Sequence, residues 1–124
     1  MANIKRFEDI KAWQKSRELV KEIYYITNNK KFMKDWSLKE QVRRAAVSII
    51  SNIAEGFSRQ TDKEFIQFLY IAKGSASEIQ SHLYLSLDLG YLSKEEFKKV
   101  YIETEEISKM IPGFIRYLKD SKNV

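Results

Sequence analysis

The stretch Gln41–Gln60, QVRRAAVSIISNIAEGFSRQ, decides how the rest of the chain is arranged. Read at about 100° per residue, Leu38, Val42, Ala45, Ala46, Ile49 and Ile53 form one stripe, the core face of a packed helix. Val47, Ile50, Ala54 and Phe57 form a second apolar set on an adjoining face, and Arg44, Ser48, Ser51 and Glu55 fill the remainder. A helix apolar over more than half its circumference is expected to be buried on two sides. In a chain of 124 residues, the second side is expected to meet another subunit.

Working outward, Ser37-Leu38-Lys39-Glu40 reads as a capping box, in which hydroxyl and carboxylate satisfy free backbone donors reciprocally. It starts this helix, which spans about 38–58, with Gly56 near its end to close it or admit a neighbour. The same signature at Thr61-Asp62-Lys63-Glu64 starts a helix over about 62–89, closed by Gly90. Its core stripe is Phe65, Phe68, Leu69, Ala72, Ala76, Ile79, Leu83 and Leu87, while Ile66, Tyr70 and Tyr84 lie off it as a second contact face. Ser93-Lys94-Glu95-Glu96 starts the last helix, about 94–118, with Phe97, Val100, Tyr101, Thr104, Ile107, Ile111, Phe114, Ile115 and Leu118 inward. Pro112 lies inside that pattern, so a kink or break is expected between Met110 and Gly113. Upstream, a one-sided helix over about 8–27 turns Ala12, Trp13, Leu19, Val20, Ile23, Tyr24 and Thr27 to the core and ends at Asn28-Asn29. Phe32 and Trp36 in the following loop are expected to cap the bundle end, and Lys119 to Val124 to fray. The fold class is therefore all-α: an antiparallel up-down-up-down four-helix bundle, one domain over 1–124.

Composition sets the outer limits. Apolar residues at 44% and charged residues at 31% describe a globular chain, and one Pro with four Gly favours long helices. The absence of cysteine excludes disulfides and thiolate metal sites. With no apolar leader in MANIKRFEDIKAW and no transmembrane-length run, the expected location is the cytoplasm, away from membranes. The net charge of +5 permits an acidic partner, although acidic and basic residues are interleaved.

Few constellations carry chemistry. His82, the single histidine, follows Glu78 by four positions and not in the repeated Glu-x-x-His of di-metal bundles, so the pair reads as a surface or interface contact. Lys73-Gly74-Ser75-Ala76-Ser77 lies mid-helix without the spaced glycines of a phosphate loop. Gly74 costs about 1 kcal/mol against Ala there, which points to close approach by another helix. Glu55 and Glu78 read as structural: Glu55 with Arg44 and Asn52 in polar contacts, Glu78 with a basic side chain. No catalytic, metal or cofactor-binding residues are assigned. Arg43, Arg44, Arg59, Lys63 and Lys73 cluster around the second and third helices as candidate nucleic-acid contacts, a charge that a ring of subunits would multiply. Val47, Ile50, Ala54, Phe57 and Tyr70 are the candidate subunit interface.

The residues FEDIKAWQKS (Phe7–Ser16), RRAAVSIISNIAEGFSR (Arg43–Arg59) and EFIQFLYIAKGSASEIQ (Glu64–Gln80) resemble a bacterial family whose founding members are encoded in intervening sequences of 23S ribosomal RNA genes. Asn52-Ile53-Ala54-Glu55-Gly56, followed by Arg59 and Phe65, is the most specific part, and Pro112 departs from the pattern. The resemblance implies a four-helix bundle assembled as a ring, typically a pentamer. It extends to the accessory protein of diversity-generating retroelements, whose basic surface engages nucleic acid and a reverse transcriptase. The function expected is a non-enzymatic homo-oligomeric scaffold that binds RNA, DNA or a protein partner. The alternatives are a dedicated structured-RNA-binding protein linked to ribosomal RNA intervening sequences and, third, an enzyme of unknown type.

Overall fold

The computed structural model describes residues 4–121, and among them every regular element is helical. A 3-10 turn at Phe7–Asp9 leads into α1 (Lys11–Ile26), α2 (Lys30–Lys34), α3 (Trp36–Phe57), α4 (Asp62–Asp88) and α5 (Lys94–Ser121). The four long helices enclose one core, with α1 and α4 each packed against α3 and α5. Side-chain contacts join α4 to both α3 and α5. Gly56 meets Phe65 and Phe68 where α3 ends and α4 begins, while Ser48 and Ser75 share a 2.8 Å hydrogen bond farther along. Phe65 lies against Phe114 at 5.4 Å between ring centroids, and Tyr84 against Phe97 at 5.0 Å.

The core stripes follow helical periodicity. Leu38, Val42, Ala45, Ala46, Ile49 and Ile53 of α3 are all buried, as are Leu69, Ala72, Ala76, Ile79 and Leu83 of α4. Buried hydroxyls bond back to the carbonyl one turn earlier: Ser16 to Ala12, Thr27 to Ile23, Thr104 to Val100 and Ser86 to His82. This satisfies each side chain within its own helix.

The caps decide the boundaries. Thr61 Oγ1 accepts from the Glu64 N–H at 3.2 Å and donates to the Glu64 carboxylate at 3.1 Å. Ser93 and Glu96 complete a full capping box, with the Glu96 N–H donating to Ser93 Oγ at 3.1 Å and the Ser93 N–H to Glu96 Oε1 at 2.9 Å. The expected cap at Ser37 is displaced. Asp35 is the N-cap of α3, its Oδ1 accepting from the Leu38 N–H at 3.1 Å, and Ser37 lies inside the first turn. Asp35 Oδ2 also accepts from the Tyr91 hydroxyl at 2.9 Å, a bond across 56 positions of sequence that local patterning does not reveal. At the other end of α4, Gly90 has φ +76°, and the Tyr91 N–H donates to the Ser86 carbonyl while the Gly90 N–H donates to Leu87. This is a Schellman closure, for which glycine avoids the steric cost of left-handed backbone.

Several other expectations are corrected. The first helix begins at Lys11 and not at Glu8, because extended backbone at Ile10 turns that side chain into the core and the Asp9 carboxylate accepts the Lys5 and Arg6 N–H groups. The loop after α1 contains α2, capped by Asn29, whose Nδ2 also donates to the Ile26 and Tyr91 carbonyls at 3.0 Å. Phe32 is fully buried there, but Trp36 is 65% exposed and caps nothing. Tyr24 is likewise exposed, with the Arg43 guanidinium 4.4 Å over its ring. Helix α5 continues through Pro112 to Ser121 without a break. Half-buried Pro112 costs one helical hydrogen bond, while Ile107, Ile111, Phe114 and Ile115 still bury in register. The expected fraying from Lys119 is not seen as far as Ser121, and residues 122–124 lie outside the described part.

Candidate nucleic-acid interface

The basic residues selected from sequence do not converge. Arg43 points at α1: its Nε donates to Thr27 Oγ1 at 2.9 Å and its guanidinium stacks on Tyr24, so it fastens α3 to α1. Arg44 is exposed, with no hydrogen bond or ion pair among the described residues, and does not join Asn52 or Glu55. Asn52 instead donates to the Ser48 carbonyl at 2.7 Å and to Ser48 Oγ at 3.0 Å. Arg59 is held by the Glu55 carboxylate at 2.9 Å and lies 4.7 Å over Phe68. Lys63 is exposed on the first turn of α4, next to Asp62.

Lys73 is different. It is half-buried on the flank of α4 that faces α5, where α4 and α5 enclose a groove of about 340 Å³. The groove is lined by Tyr70, Lys73, Pro112, Ile115, Arg116 and Lys119. The spacing explains the convergence: Tyr70 and Lys73 are three apart on α4, and Pro112, Ile115, Arg116 and Lys119 recur at three and four on α5, so each set shares a face. Ile115 is buried at the floor, and Tyr70 is 52% exposed at the wall. Among the described residues, three cationic side chains and no carboxylate line this groove. Arg116 and Lys119 were absent from the sequence-based set. The available signal was their own three-residue spacing beside Pro112, but which helix they would face was not.

Two further hollows are less suited to a polyanion. One, of about 270 Å³ beside the α3–α4 turn, is lined by both Arg59 and Asp62, and Arg59 is already paired. The other, of about 400 Å³, is lined by Ile10, Lys11, Ala12, Met110, Gly113, Phe114 and Tyr117 and is chiefly apolar.

The candidate interface residues occupy two flanks. Val47 is exposed, and Ile50 and Ala54 are half-buried; they follow Arg43 along α3 on the side of α1. Phe57 packs inward, edge-on to Phe65 at 6.1 Å. Tyr70 stands on the far flank, against α5. Gly74 has nothing within 4 Å of a Cβ built on it, so no helix of this chain approaches it. On that outer side of α4, Ile71, Leu85 and Leu89 are about half exposed.

The groups displaced from their ordinary pKa lie outside the groove. Tyr91 is pushed up by its hydrogen bond to the Asp35 carboxylate, and Tyr101 by hydrogen bonding with Tyr84. Glu103 is pushed up by burial and then by the nearby Glu22 carboxylate. The Glu78 carboxylate lies 3.6 Å from His82 Nε2, but neither ring nitrogen of His82 has a hydrogen-bond partner. Among the described residues, no group of three or more His, Cys, Asp or Glu could hold a metal ion. No described helix is long and apolar enough to cross a membrane.

Residues 8–113 match the family described as 23S rRNA-intervening sequence protein, and the chain belongs to that family. It is similar to a crystal structure, at 1.70 Å resolution, of a protein of unknown function from the S23 ribosomal protein family of Bacteroides thetaiotaomicron. That similarity amounts to 28% sequence identity and a TM-score of 0.77, over 84% of this chain and 97% of the other. Among curated proteins, no match is found.

Proposed function

We propose that this chain is a non-enzymatic, cytoplasmic scaffold that assembles as a homo-oligomeric ring of antiparallel up-down-up-down bundles and binds nucleic acid through its basic surface. The observation that carries the nucleic-acid reading is the groove in which Lys73, Arg116 and Lys119 converge, with no carboxylate among the described residues that line it. A polyanion releases counterions when it occupies such a site, and repetition around a ring would add the contributions of several grooves. Assembly is supported by Val47 on one flank and by Ile71, Leu85 and Leu89 beside the uncovered Gly74, apolar surface that a second copy would remove from water. Membership of a family named for intervening sequences of 23S ribosomal RNA makes RNA the first ligand to test.

The test is gel filtration with light scattering, followed by RNA binding across a salt series. The expected results are a mass several times that of one chain and an affinity that falls steeply between about 50 and 200 mM salt. Lys73→Ala should weaken binding to every sequence alike. A monomer in solution would refute the scaffold, and salt-independent affinity would refute the electrostatic site.

A further inference from the structure

Resting on that reading of the groove, we propose that the α4–α5 groove is built for single-stranded nucleic acid, with an unpaired base stacked on Tyr70 and the flanking phosphates on Lys73, Arg116 and Lys119. Charge alone does not distinguish one strand from two. What the groove adds is an aromatic wall: the Tyr70 ring is 52% exposed, although it sits between cationic neighbours in a cleft. Exposed aromatic faces interleaved with cations are the elements by which proteins hold single strands, because each base has a face that can stack. A duplex hides those faces in its own stack and presents them at its ends alone.

The dimensions agree. The volume of about 340 Å³ is at the lower end of the roughly 300–1,000 Å³ typical of ligand sites, suited to one base with its sugar and too small for the width of a duplex. Arg116 and Lys119 project one helical turn apart on α5, and Lys73 projects one turn from Tyr70 on α4. Cations thus flank the ring on both helices, where the phosphates before and after a stacked base would lie. Lys119 Nζ lies over the Tyr70 ring, 6.0 Å from its centroid and at the outer limit of a cation–π contact, a loose contact that a stacked base would replace. Ile115 supplies an apolar floor, buried beneath the base position. Among the described residues no Asn, Gln, Asp or Glu lines the cleft, and the cations are assigned to phosphates, so selectivity is for strandedness more than for sequence.

The experiment is fluorescence anisotropy on the full chain, using a 5′-labelled 12-nucleotide pyrimidine RNA and a blunt RNA duplex of the same length at low salt. Wild type should bind the single strand more tightly. Stacking is worth about 1–3 kcal/mol per base, so Tyr70→Ala should weaken the single strand by roughly 5- to 150-fold, leaving the duplex unchanged. Tyr70→Phe should retain the affinity, whereas Lys73→Ala and Arg116→Ala should weaken both ligands. Each variant is checked by circular dichroism and light scattering. Tyr70→Ala that binds the single strand like wild type, or a duplex bound as tightly as the strand, overturns the stacking site and leaves the polyanion groove intact. Tyr70→Ala that lowers the oligomer mass overturns it too, by placing Tyr70 at a subunit contact. Binding of neither RNA overturns both the site and the nucleic-acid reading beneath it.

Discussion

Gly56 and Gly74 are both helical glycines, but the same change at each should act with opposite sign. A Cβ at Gly56 would sit 2.7 Å from Phe65 Cδ1 and 2.8 Å from Phe68 Cβ. Carbon atoms pack best about 3.5–4.0 Å apart, so the α3–α4 contact must open by roughly 0.7–1 Å. Phe68 Cβ is fixed to the α4 backbone and cannot rotate away. The Phe65 ring has little room, with Phe57 at 6.1 Å and Phe114 at 5.4 Å, both edge-on. Overpacking of this kind costs about 1–3 kcal/mol, against a helix-propensity gain of about 0.5–1 kcal/mol for replacing glycine. Gly56→Ala should therefore lose about 1–2 kcal/mol. Within a single subunit, Gly74→Ala meets nothing within 4 Å and keeps the propensity gain alone. Urea unfolding followed by circular dichroism, at one protein concentration, separates the cases. With an ordinary slope, the midpoint should fall by roughly 0.5–1 M for Gly56→Ala and rise for Gly74→Ala. A Gly56→Ala midpoint at or above wild type would refute the close-approach argument.

Asp35→Ala should cost more than the ordinary ~0.5–2 kcal/mol of a lost N-cap, because the Tyr91 hydroxyl loses its partner as well. Ser37→Ala should be nearly neutral, since the cap hydrogen bond is made by Asp35; equal losses in thermal melts would restore Ser37 as the cap. Glu103 has a buried Oε1 without a partner, and its pKa is pushed up by burial and by Glu22. A carboxyl group raised on folding contributes stability at low pH that is lost as pH rises through its folded value. Glu103→Gln should therefore stabilise the protein at pH 7, with the advantage shrinking as pH falls through the raised pKa of Glu103 toward the ordinary carboxylate value; an advantage constant from pH 7 to pH 3 would show that charge is not the cause.

Much of the fold was legible from residue order alone. The stripe from Leu38 to Ile53, the caps at Thr61 and Ser93 and the closure at Gly90 depend on neighbours within one or two turns, and the structure has them where the spacing put them. Gly56 also announced itself, as a glycine inside an apolar helical pattern. Tertiary structure decided whatever depends on a second element. Asp35 displaced Ser37 because the chain enters α3 directly from α2, and Tyr91 arrives from 56 positions away to hold it. Arg43 left the basic set because α1 supplies Thr27 and Tyr24 at its tip. Lys73 gained Arg116 and Lys119 because α5 returns alongside α4. Helical periodicity reports the angle at which a side chain leaves its own axis. It carries no information about which helix stands at that angle, and the groove consists of that missing relation.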